Sequence, residues 1–262
     1  MFLPIRLQPA LSEQTKQQQR KKTVKSAKLF IFRTGNKIFE KYLTNSELSV
    51  LSTQPLIFTV PGLIPSTSYD YYMIINNGDV TAANLTALQA LTQNDIASYN
   101  GTWSSVNDAS TTPNRSGGFV MTGNTSATTS ADLTQTQSVS ITVKRITAKV
   151  DVNTVIDNTV FGSGNKYTGT LAIDSAIISK TQSTSSLLLG TPPTTAGTLP
   201  LAKQISNIAT PNSNFQNRFY LFENGAYTVT ANIKGLSGTS VSVTVTLSDW
   251  KTIVNQNANL GT

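Results

Sequence analysis

Side chains that could carry out chemistry are scarce in this sequence of 262 residues. It contains no histidine and no cysteine, which excludes thiolate nucleophiles, Cys/His zinc sites and any Ser-His-Asp triad. Its 13 acidic residues could in principle supply the carboxylate pair of a glycosidase, but they stand singly among Ser and Thr. The sequence therefore predicts a protein that is not an enzyme and has no catalytic residues, no cofactor and no metal site.

Positive charge is the one chemical feature that is concentrated in the sequence. The formal net charge is +7, and much of the excess lies in six residues near the N-terminus: Lys16, Arg20, Lys21, Lys22, Lys25 and Lys28. Elsewhere the charges are sparse and do not form a basic stripe interleaved with aromatic residues, which a nucleic-acid-binding surface would show. We therefore do not expect nucleic acid as a partner.

The basic cluster overlaps a polar stretch with the properties of a linker. Residues 12–22, SEQTKQQQRKK, have no hydrophobic period, so this stretch is expected to be open to proteases. If a protease processes the chain, the cut is expected between Arg20 and Lys21, directly before the first interior strand. Arg6 is the alternative site, but it lies inside a predicted strand whose hydrogen bonds would protect it. A solvated basic linker without a role in processing is the remaining alternative.

A predicted strand precedes this linker, at residues 2–11. Its alternating apolar residues occupy one face: Leu3, Ile5 and Leu7. Pro4 and Pro9 cannot donate hydrogen bonds to a ladder, which favours a position at the edge of a sheet. If a protease cuts the linker, this is the strand that would be removed.

The remainder of the chain is predicted to be almost entirely β. Charged residues make up only 13%, whereas surface helices favour Glu, Lys and Arg at spacings of three and four. A hairpin is predicted within residues 24–42, around Thr34-Gly35-Asn36. Further strands are predicted at 56–60, 69–75, near 118–121, and at 170–179, 219–222, 226–233 and 241–247. One short helix is predicted at residues 82–92, where Leu85, Leu88 and Leu91 are three apart.

The run 138–152, SVSITVKRITAKVDV, changes its apolar phase in the middle. The apolar positions are first Val139, Ile141 and Val143, and after Arg145 they are Ile146, Ala148, Val150 and Val152. Because strand side chains alternate with a period of two, this change indicates a bulge or a passage from one sheet into another. We interpret it as the seam between an N-terminal domain (21–145) and a C-terminal domain (146–262), with a removable segment (1–20) ahead of both. A single bulged strand inside one sandwich is the alternative.

The C-terminal segment has the pattern of a strand that could join another chain. Such a strand has to be extended and to place apolar residues alternately. The candidate donor residues are Val241, Val243, Val245, Leu247, Trp250, Ile253 and Val254. Residues 241–247 could nearly as well be the final strand of their own domain. In that case residues 250–262 are the part expected to cross to a neighbouring copy.

Six stretches of the sequence, in this order, resemble the Bacteroidales fimbrillins, also called type V pilins. They are KLFIFRTGNKIFEKY (28–42), FTVPGLIPSTSYDYYMIINNGD (58–79), GGFVMTGNTS (117–126), SVSITVKRITAKVDV (138–152), FYLFENGAYTVTANIKG (219–235) and VSVTVTLSDW (241–250). The positions 145–150 and Asp249-Trp250 are the most telling. The stretches cover most of the chain from Lys21 onward, and none of them is a catalytic motif.

The resemblance implies two transthyretin-like β-sandwich domains in tandem, all-β apart from the short helix in the N-terminal domain. It implies a structural subunit of a cell-surface fimbria, exported as a lipoprotein to the outer membrane. An arginine-specific protease would remove the N-terminal strand, and the subunit would then polymerise by donor-strand exchange with other copies and other fimbrial subunits. The fimbria would support adhesion to receptors on host or bacterial surfaces. Precursors of the family carry a lipidated Cys after a signal, and neither occurs in the sequence as given.

A tip adhesin or carbohydrate-binding module of the same appendage is the alternative function. It would need exposed aromatic residues for stacking, and the candidates are Tyr69, Tyr71, Tyr72 and Trp103. Tyrosines at adjacent strand positions, however, more often pack on the two faces of a sheet. The sequence therefore favours the structural role.

Overall fold

The structure is a computed structural model that describes residues 2–9, 24–51, 55–94, 96–100, 117–134, 136–154, 172–188, 199–204, 215–222, 227–236 and 239–247. Its strands, numbered in chain order, are β1 (Phe2–Pro9), β2 (Ala27–Arg33), β3 (Asn36–Tyr42), β4 (Leu56–Pro61), β5 (Ser68–Ile75), β6 (Thr92–Gln93), β7 (Met121–Thr128), β8 (Gln137–Ile141), β9 (Lys144–Arg145), β10 (Thr147–Thr154), β11 (Ala172–Thr181), β12 (Ser185–Ser186), β13 (Leu199–Gln204), β14 (Phe215–Phe222), β15 (Tyr227–Leu236) and β16 (Thr239–Leu247). The helices are α1 (Asn45–Leu51), α2 (Leu85–Gln89) and α3 (Ile96–Asn100). The predicted all-β fold class is thereby confirmed.

The chain divides into two compact units. The first comprises Met1–Gln93, Arg115–Ile146 and Ser186–Gly190, and the second comprises Asn94–Asn114, Thr147–Ser185 and Thr191–Thr262. The predicted short helix is observed as α2 in the first unit. It begins at the N-cap Asn84, whose Oδ1 accepts a hydrogen bond from the Ala87 N–H at 2.8 Å, and its Leu88 is fully buried. The helices α1 and α3 were not predicted, because they are only seven and five residues long and show no visible apolar period.

A five-stranded antiparallel sheet with the order β3-β2-β5-β7-β9 forms one layer of the first unit. Residues 29–32 of β2 are buried without exception, as expected for an interior strand that is apolar on both faces. The predicted hairpin joins β2 to β3, with Arg33 paired to Asn36. Both turn residues have positive φ, 49° at Thr34 and 82° at Gly35, which is the conformation of a type I′ hairpin turn.

A three-stranded sheet with the order β4-β1-β8 forms the other layer of the first unit. The strand β1 therefore lies in the centre of this sheet, and the predicted edge position is wrong. The physical reason is the register, because the parallel pairing with β8 begins at Ile5 and ends at Pro9. Pro4 precedes the first residue of the ladder with β8, and Pro9 is the last residue of that ladder. The two prolines therefore leave its interior hydrogen bonds complete.

The hydrophobic core of the first unit draws its residues from both layers. Buried side chains of the five-stranded sheet and of the outer strands of the three-stranded sheet belong to one cluster, which includes Leu29, Ile31, Tyr71, Met73, Leu56, Val60, Val139 and Ile141. This is the arrangement of a β-sandwich, in which two sheets bury their facing sides against each other.

The run 138–152 passes through three different sheets. Its first part is in β8, which pairs with β1, and its middle is the short β9, which pairs with β7. Its last part is in β10, which pairs with β14 in the second unit. The phase change in the sequence thus falls where the chain leaves one sheet for another.

The second unit contains a four-stranded antiparallel sheet, β13-β11-β15-β16, and a two-stranded sheet, β10-β14. The helix α3 contacts β14 through Asn100, whose Nδ2 donates to the Tyr220 carbonyl at 2.9 Å. The Tyr220 N–H in turn donates to Asn100 Oδ1 at 2.8 Å. This side-chain amide therefore satisfies both main-chain groups of Tyr220, as a neighbouring strand would.

Candidate functional site

The strand β1 is the element on which the candidate site depends. Although it comes first in the chain, it is hydrogen-bonded on both sides, antiparallel to β4 and parallel to β8. All other strands of the three-stranded and five-stranded sheets come after the predicted linker at residues 12–22. The candidate site is therefore the position of β1 between β4 and β8.

The antiparallel register places the alternating residues of β1 opposite the core positions of β4. Leu3 is paired with Val60, Ile5 with Phe58 and Leu7 with Leu56: these pairs define one face of the sheet, because residues directly opposite in a ladder share a face. Val60 and Leu56 are buried in the core and Phe58 packs against it. The three predicted strand residues are thus in register with the core positions of β4.

The parallel register repeats this relation on the other side. Leu7 is paired with Val139 and Pro9 with Ile141, and both β8 residues are buried. Ser138 and Ser140 alternate with them and are exposed. The strands β4 and β8 therefore offer alternating buried positions to whatever strand lies between them.

Aromatic packing connects β4 to β3, a strand of the other sheet of the first unit. The Phe58 ring stacks on Phe39 of β3 with 6.0 Å between centroids and 17° between planes. Lys41 Nζ lies 5.8 Å from the centroid of the Phe58 ring, within reach of a cation–π interaction. Since none of these contacts involves β1, β4 has support that does not depend on the N-terminal strand.

Loss of β1 would leave a slot of defined width. Neighbouring strands are about 4.8 Å apart, so β4 and β8 are separated by about twice that distance, which is the room for a single strand. The facing N–H and C=O groups of β4 and β8 would lose their partners, and the core face would be uncovered. The chemical capacity of this arrangement is to accept an extended apolar segment.

The two predicted processing sites differ in what the structure says of them. Arg6 lies within β1, paired with Ile57 on one side and with Ser138 on the other. Arg20 and Lys21 lie outside the described residues. Lys28, which the sequence groups with the basic cluster, is 4% exposed and is bound by Asp79 at 2.7 Å. It is therefore part of the folded sheet and no longer part of an open basic segment.

The predicted donor residues divide at the end of β16. Val241, Val243, Val245 and Leu247 lie in β16, which pairs with β15 along its whole length and is the last strand of its sheet. Trp250, Ile253 and Val254 lie outside the described residues. The structure therefore places the first four in a strand of their own unit.

The tyrosines of β5 do not form a stacking surface. Tyr69 and Tyr71 are 1% and 0% exposed and belong to the core. Tyr72 points to the other face of the sheet, where its ring meets Phe32 edge-on at 5.7 Å. Trp103 lies outside the described residues. The aromatic surface expected of a carbohydrate-binding module is thus not present at these tyrosines.

The titratable groups of β5 do not suggest catalysis either. Burial and the neighbouring Tyr69 raise the pKa of Tyr71 to about 12, and burial and the neighbouring Asp70 raise the pKa of Tyr72. Both shifts are away from neutral pH, where a general acid or base has to titrate. Within the part of the chain that the structure describes, no cluster of acidic side chains is suited to holding a metal ion. The same residues contain no helix that is long and apolar enough to cross a membrane.

Sequence reasoning identified β1 but not its neighbours. The pairing of β1 with β8 joins residues more than 130 positions apart, and no local pattern announces it. It also missed Asn76, which ends β5 and binds the main chain ahead of β2. The only signal in the sequence was the turn dipeptide Asn77-Gly78, which indicates where β5 ends but not what Asn76 contacts.

Comparisons with known proteins support the fold. No family model and no curated protein matches this chain. Among solved structures it is similar to a candidate cell adhesion protein from Bacteroides eggerthii, with a TM-score of 0.55, 15% identity and coverage of 93% of this chain and 77% of that one. A fimbrial assembly protein from Parabacteroides distasonis gives a TM-score of 0.52, 12% identity and coverage of 94% and 85%. A candidate cell adhesion protein from the same species gives a TM-score of 0.59 at 12% identity, with coverage of 94% of this chain and 79% of that one.

Identities this low speak for the fold alone. The similarity nevertheless extends over nearly the whole chain and over most of each of the three structures. Of the fold that the fimbrillin resemblance implied, the all-β class is the part that the structure shows. The chain therefore has the all-β fold of Bacteroidales proteins that include a fimbrial assembly protein.

Proposed function

We propose that this protein is a structural subunit of a cell-surface fimbria that polymerises by donor-strand exchange. The observation that supports this most directly is the central position of β1, the first strand of the chain, between β4 and β8. A protease that removes it takes away one strand and leaves the buried positions Val60, Leu56 and Val139 facing an empty slot. A segment of another copy then completes the sheet and joins the two subunits.

The donor in this proposal is the segment that follows β16. The residues of β16 are engaged with β15, so their use as donor would require this pairing to be broken. We infer that residues 250–262, with Trp250, Ile253 and Val254, enter the slot of the next subunit. Main-chain hydrogen bonds would supply affinity, and the alternating pockets along β4 and β8 would set the register.

The proposed organisation follows the seam in the sequence. We propose that residues 1–20 are the removable segment, that 21–145 and 146–262 are transthyretin-like domains, and that Arg145–Ile146 is the passage between them. The partners would be other copies, other fimbrial subunits and an arginine-specific protease, with surface receptors as targets of adhesion. The location would be the outer membrane, and the protein itself would have no enzymatic activity.

The alternative, a tip adhesin or carbohydrate-binding module, has less support. Its sequence argument rested on Tyr69, Tyr71, Tyr72 and Trp103, and two of these four are buried. The resemblance of the fold to cell adhesion proteins is equally compatible with a subunit of the shaft.

Digestion of the full chain with an arginine-specific protease tests the proposal. N-terminal sequencing of the retained part is expected to begin at Lys21, because β1 is protected by pairing on both sides whereas Arg20 is in polar sequence. Negative-stain microscopy of the digested protein is expected to show filaments. The undigested protein is expected to remain monomeric, because its slot is filled.

An Arg20→Gln variant serves as the matched control. It should resist the cut, stay monomeric and be as stable as the natural chain. A retained part that begins at Leu7 would move the processing site to Arg6. Filaments that form equally well from the uncut variant would contradict the proposal.

A further inference from the structure

The chain just ahead of β2 is tied down by one buried side chain. Asn76 follows the last residue of β5, is 2% exposed and has a φ of 63°. Its Oδ1 accepts hydrogen bonds from the main-chain N–H groups of Lys25 at 2.7 Å and Ser26 at 3.4 Å. Its main-chain N–H donates to the Ser26 carbonyl at 2.9 Å, and its Nδ2 donates to the Phe119 carbonyl at 2.8 Å. One residue thus joins the segment before β2 to the segment before β7.

Ser26 is held from a second direction as well. Its Oγ accepts a hydrogen bond from the Gly78 N–H at 3.1 Å. The ladder between β2 and β5 begins at Ala27 paired with Ile75, so these bonds continue the pairing for two residues beyond the ladder. We call these five residues the Asn76 latch: Lys25, Ser26, Asn76, Gly78 and Phe119.

The latch gives Lys25 two opposite properties. Its side chain is exposed and basic, so it meets the side-chain requirement of a trypsin-like protease. The main chain around the bond between Lys25 and Ser26, however, is occupied by Asn76, and the residues that follow are buried in β2. A protease binds its substrate as an extended strand through main-chain hydrogen bonds, so this bond becomes accessible only when the latch opens.

We propose that the Asn76 latch sets the last bond at which a protease can cut ahead of β2. Cuts after Arg20, Lys21 or Lys22 precede the latch, whereas a cut after Lys25 would have to break it. The latch would also keep β2 in register once the chain ahead of it has been lost. This inference rests on the proposed function only in taking the processing site to lie ahead of β2.

Limited digestion with trypsin, followed by mass spectrometry, tests the latch in the full chain. Early retained fragments are expected to begin at Lys21, Lys22 or Thr23, and fragments beginning at Ser26 should not accumulate. In an Asn76→Gly variant, the initial rate of cutting after Lys25 should rise about tenfold or more, as expected when local opening becomes easier by about 1.4 kcal/mol. Glycine is the suitable replacement because it adopts positive φ without strain.

Two controls separate the latch from general destabilisation. Leu133→Ala removes a fully buried core side chain that is not part of the latch, and Asn84→Gly makes the same chemical change at an exposed asparagine. Both should leave the cut after Lys25 as slow as in the natural chain. If Asn76→Gly does not fold, Ser26→Ala removes the bond to Gly78 and should give a smaller increase in the same rate.

Two results would overturn the inference. One is a natural chain that is cut after Lys25 as fast as after Lys22. The other is an Asn76→Gly variant that is cut there no faster than Leu133→Ala at equal melting temperature. Because the digestion is followed on monomers, either result would leave the proposal of polymerisation untouched, and failed polymerisation would leave the latch untouched.

Discussion

Tyr69 and Tyr71 show how two identical residues on one face of a strand can differ in energetics. Both are buried in the core of the first unit. The Tyr69 hydroxyl accepts a hydrogen bond from the Ile64 N–H at 2.9 Å, whereas the Tyr71 hydroxyl has no hydrogen-bond partner within the described ranges. A buried hydroxyl without a hydrogen-bond partner lowers the stability of the folded state. Removing a buried hydroxyl that has a partner leaves that partner without a hydrogen bond.

The first residue-scale prediction concerns this pair. Tyr69→Phe should lower the free energy of unfolding by about 1 to 3 kcal/mol, because the Ile64 N–H loses its acceptor. Tyr71→Phe should leave it unchanged or raise it, because only an unpaired hydroxyl is lost. Urea denaturation at pH 7 measures the free energy of unfolding of both variants, and each variant is the control for the other. Equal destabilisation by the two changes would contradict this account.

The second residue-scale prediction concerns the start of α1, where Thr44 and Glu47 form a capping box. The Thr44 N–H donates to Glu47 Oε2 at 2.8 Å, the Glu47 N–H donates to Thr44 Oγ1 at 3.3 Å, and Lys41 Nζ lies 2.8 Å from Glu47 Oε1. Burial raises the pKa of Glu47, but the hydrogen bonds from Lys41 and Thr44 outweigh it and hold this pKa below its ordinary value of 4.5. The stability that the carboxylate contributes is therefore present above pH 4.5 and lost as the pH falls through the lower folded value.

Glu47→Gln should consequently destabilise the protein at pH 7 by about 0.5 to 1 kcal/mol, because the amide can still cap α1 but no longer pairs with the Lys41 charge. The difference from the natural chain should shrink as the pH falls below 4.5, because the carboxyl group becomes protonated. Urea denaturation at a series of pH values between 3 and 7 measures it. A difference that is the same at both ends of this range would contradict the assigned role.

At the scale of elements, β1 matters through its two ladders. An edge strand would leave its sheet continuous when removed, whereas β1 leaves a slot between β4 and β8. The neighbouring run 138–152 differs from β1, because it does not stay in one sheet. Its strands β8, β9 and β10 pair in three different sheets. Both features follow from pairing between distant parts of the chain.

The element-scale prediction is that the slot can be filled by β1 supplied as a peptide. A synthetic peptide of residues 2–9, FLPIRLQP, added in excess to the protein after proteolysis should bind and suppress filament formation. Each apolar side chain that becomes buried contributes roughly 1.5 to 3 kcal/mol before the cost of ordering the peptide. Light scattering follows polymerisation. A control peptide with Ser in place of Leu3, Ile5 and Leu7 should have no effect, and equal inhibition by both peptides would refute the slot.

At the scale of the whole molecule, polymerisation needs a slot and a donor in the same chain. The first unit offers the position of β1, and the second unit ends, as far as the structure describes it, in the edge strand β16. An edge strand pairs on one side only, and we propose that the chain that follows it continues in another subunit's sheet.

The whole-molecule prediction is that deletion of residues 251–262 yields a folded monomer that does not polymerise after cleavage. The fold should survive, because the deletion starts after β16 and leaves its pairing with β15 intact. Circular dichroism and thermal unfolding check the fold, and electron microscopy after proteolysis checks for filaments. Mixing with the intact protein should give short filaments, because the truncated subunit can still accept a strand. Normal filaments from the truncated protein alone would show that the donor lies elsewhere.

The sequence by itself determined the local features of this protein: the all-β class, the hairpin at Thr34-Gly35, the helix at Leu85 to Gln89, and the absence of His and Cys chemistry. These features follow from the period of apolar residues, from turn residues and from composition, which act over a few neighbouring positions. Tertiary structure alone decided that β1 is central, that Tyr69 and Tyr71 are buried, that Lys28 is enclosed by Asp79, and that Asn76 holds Lys25. Each of these depends on residues about 50 to more than 130 positions apart, and a local pattern cannot specify which distant strand will become its neighbour.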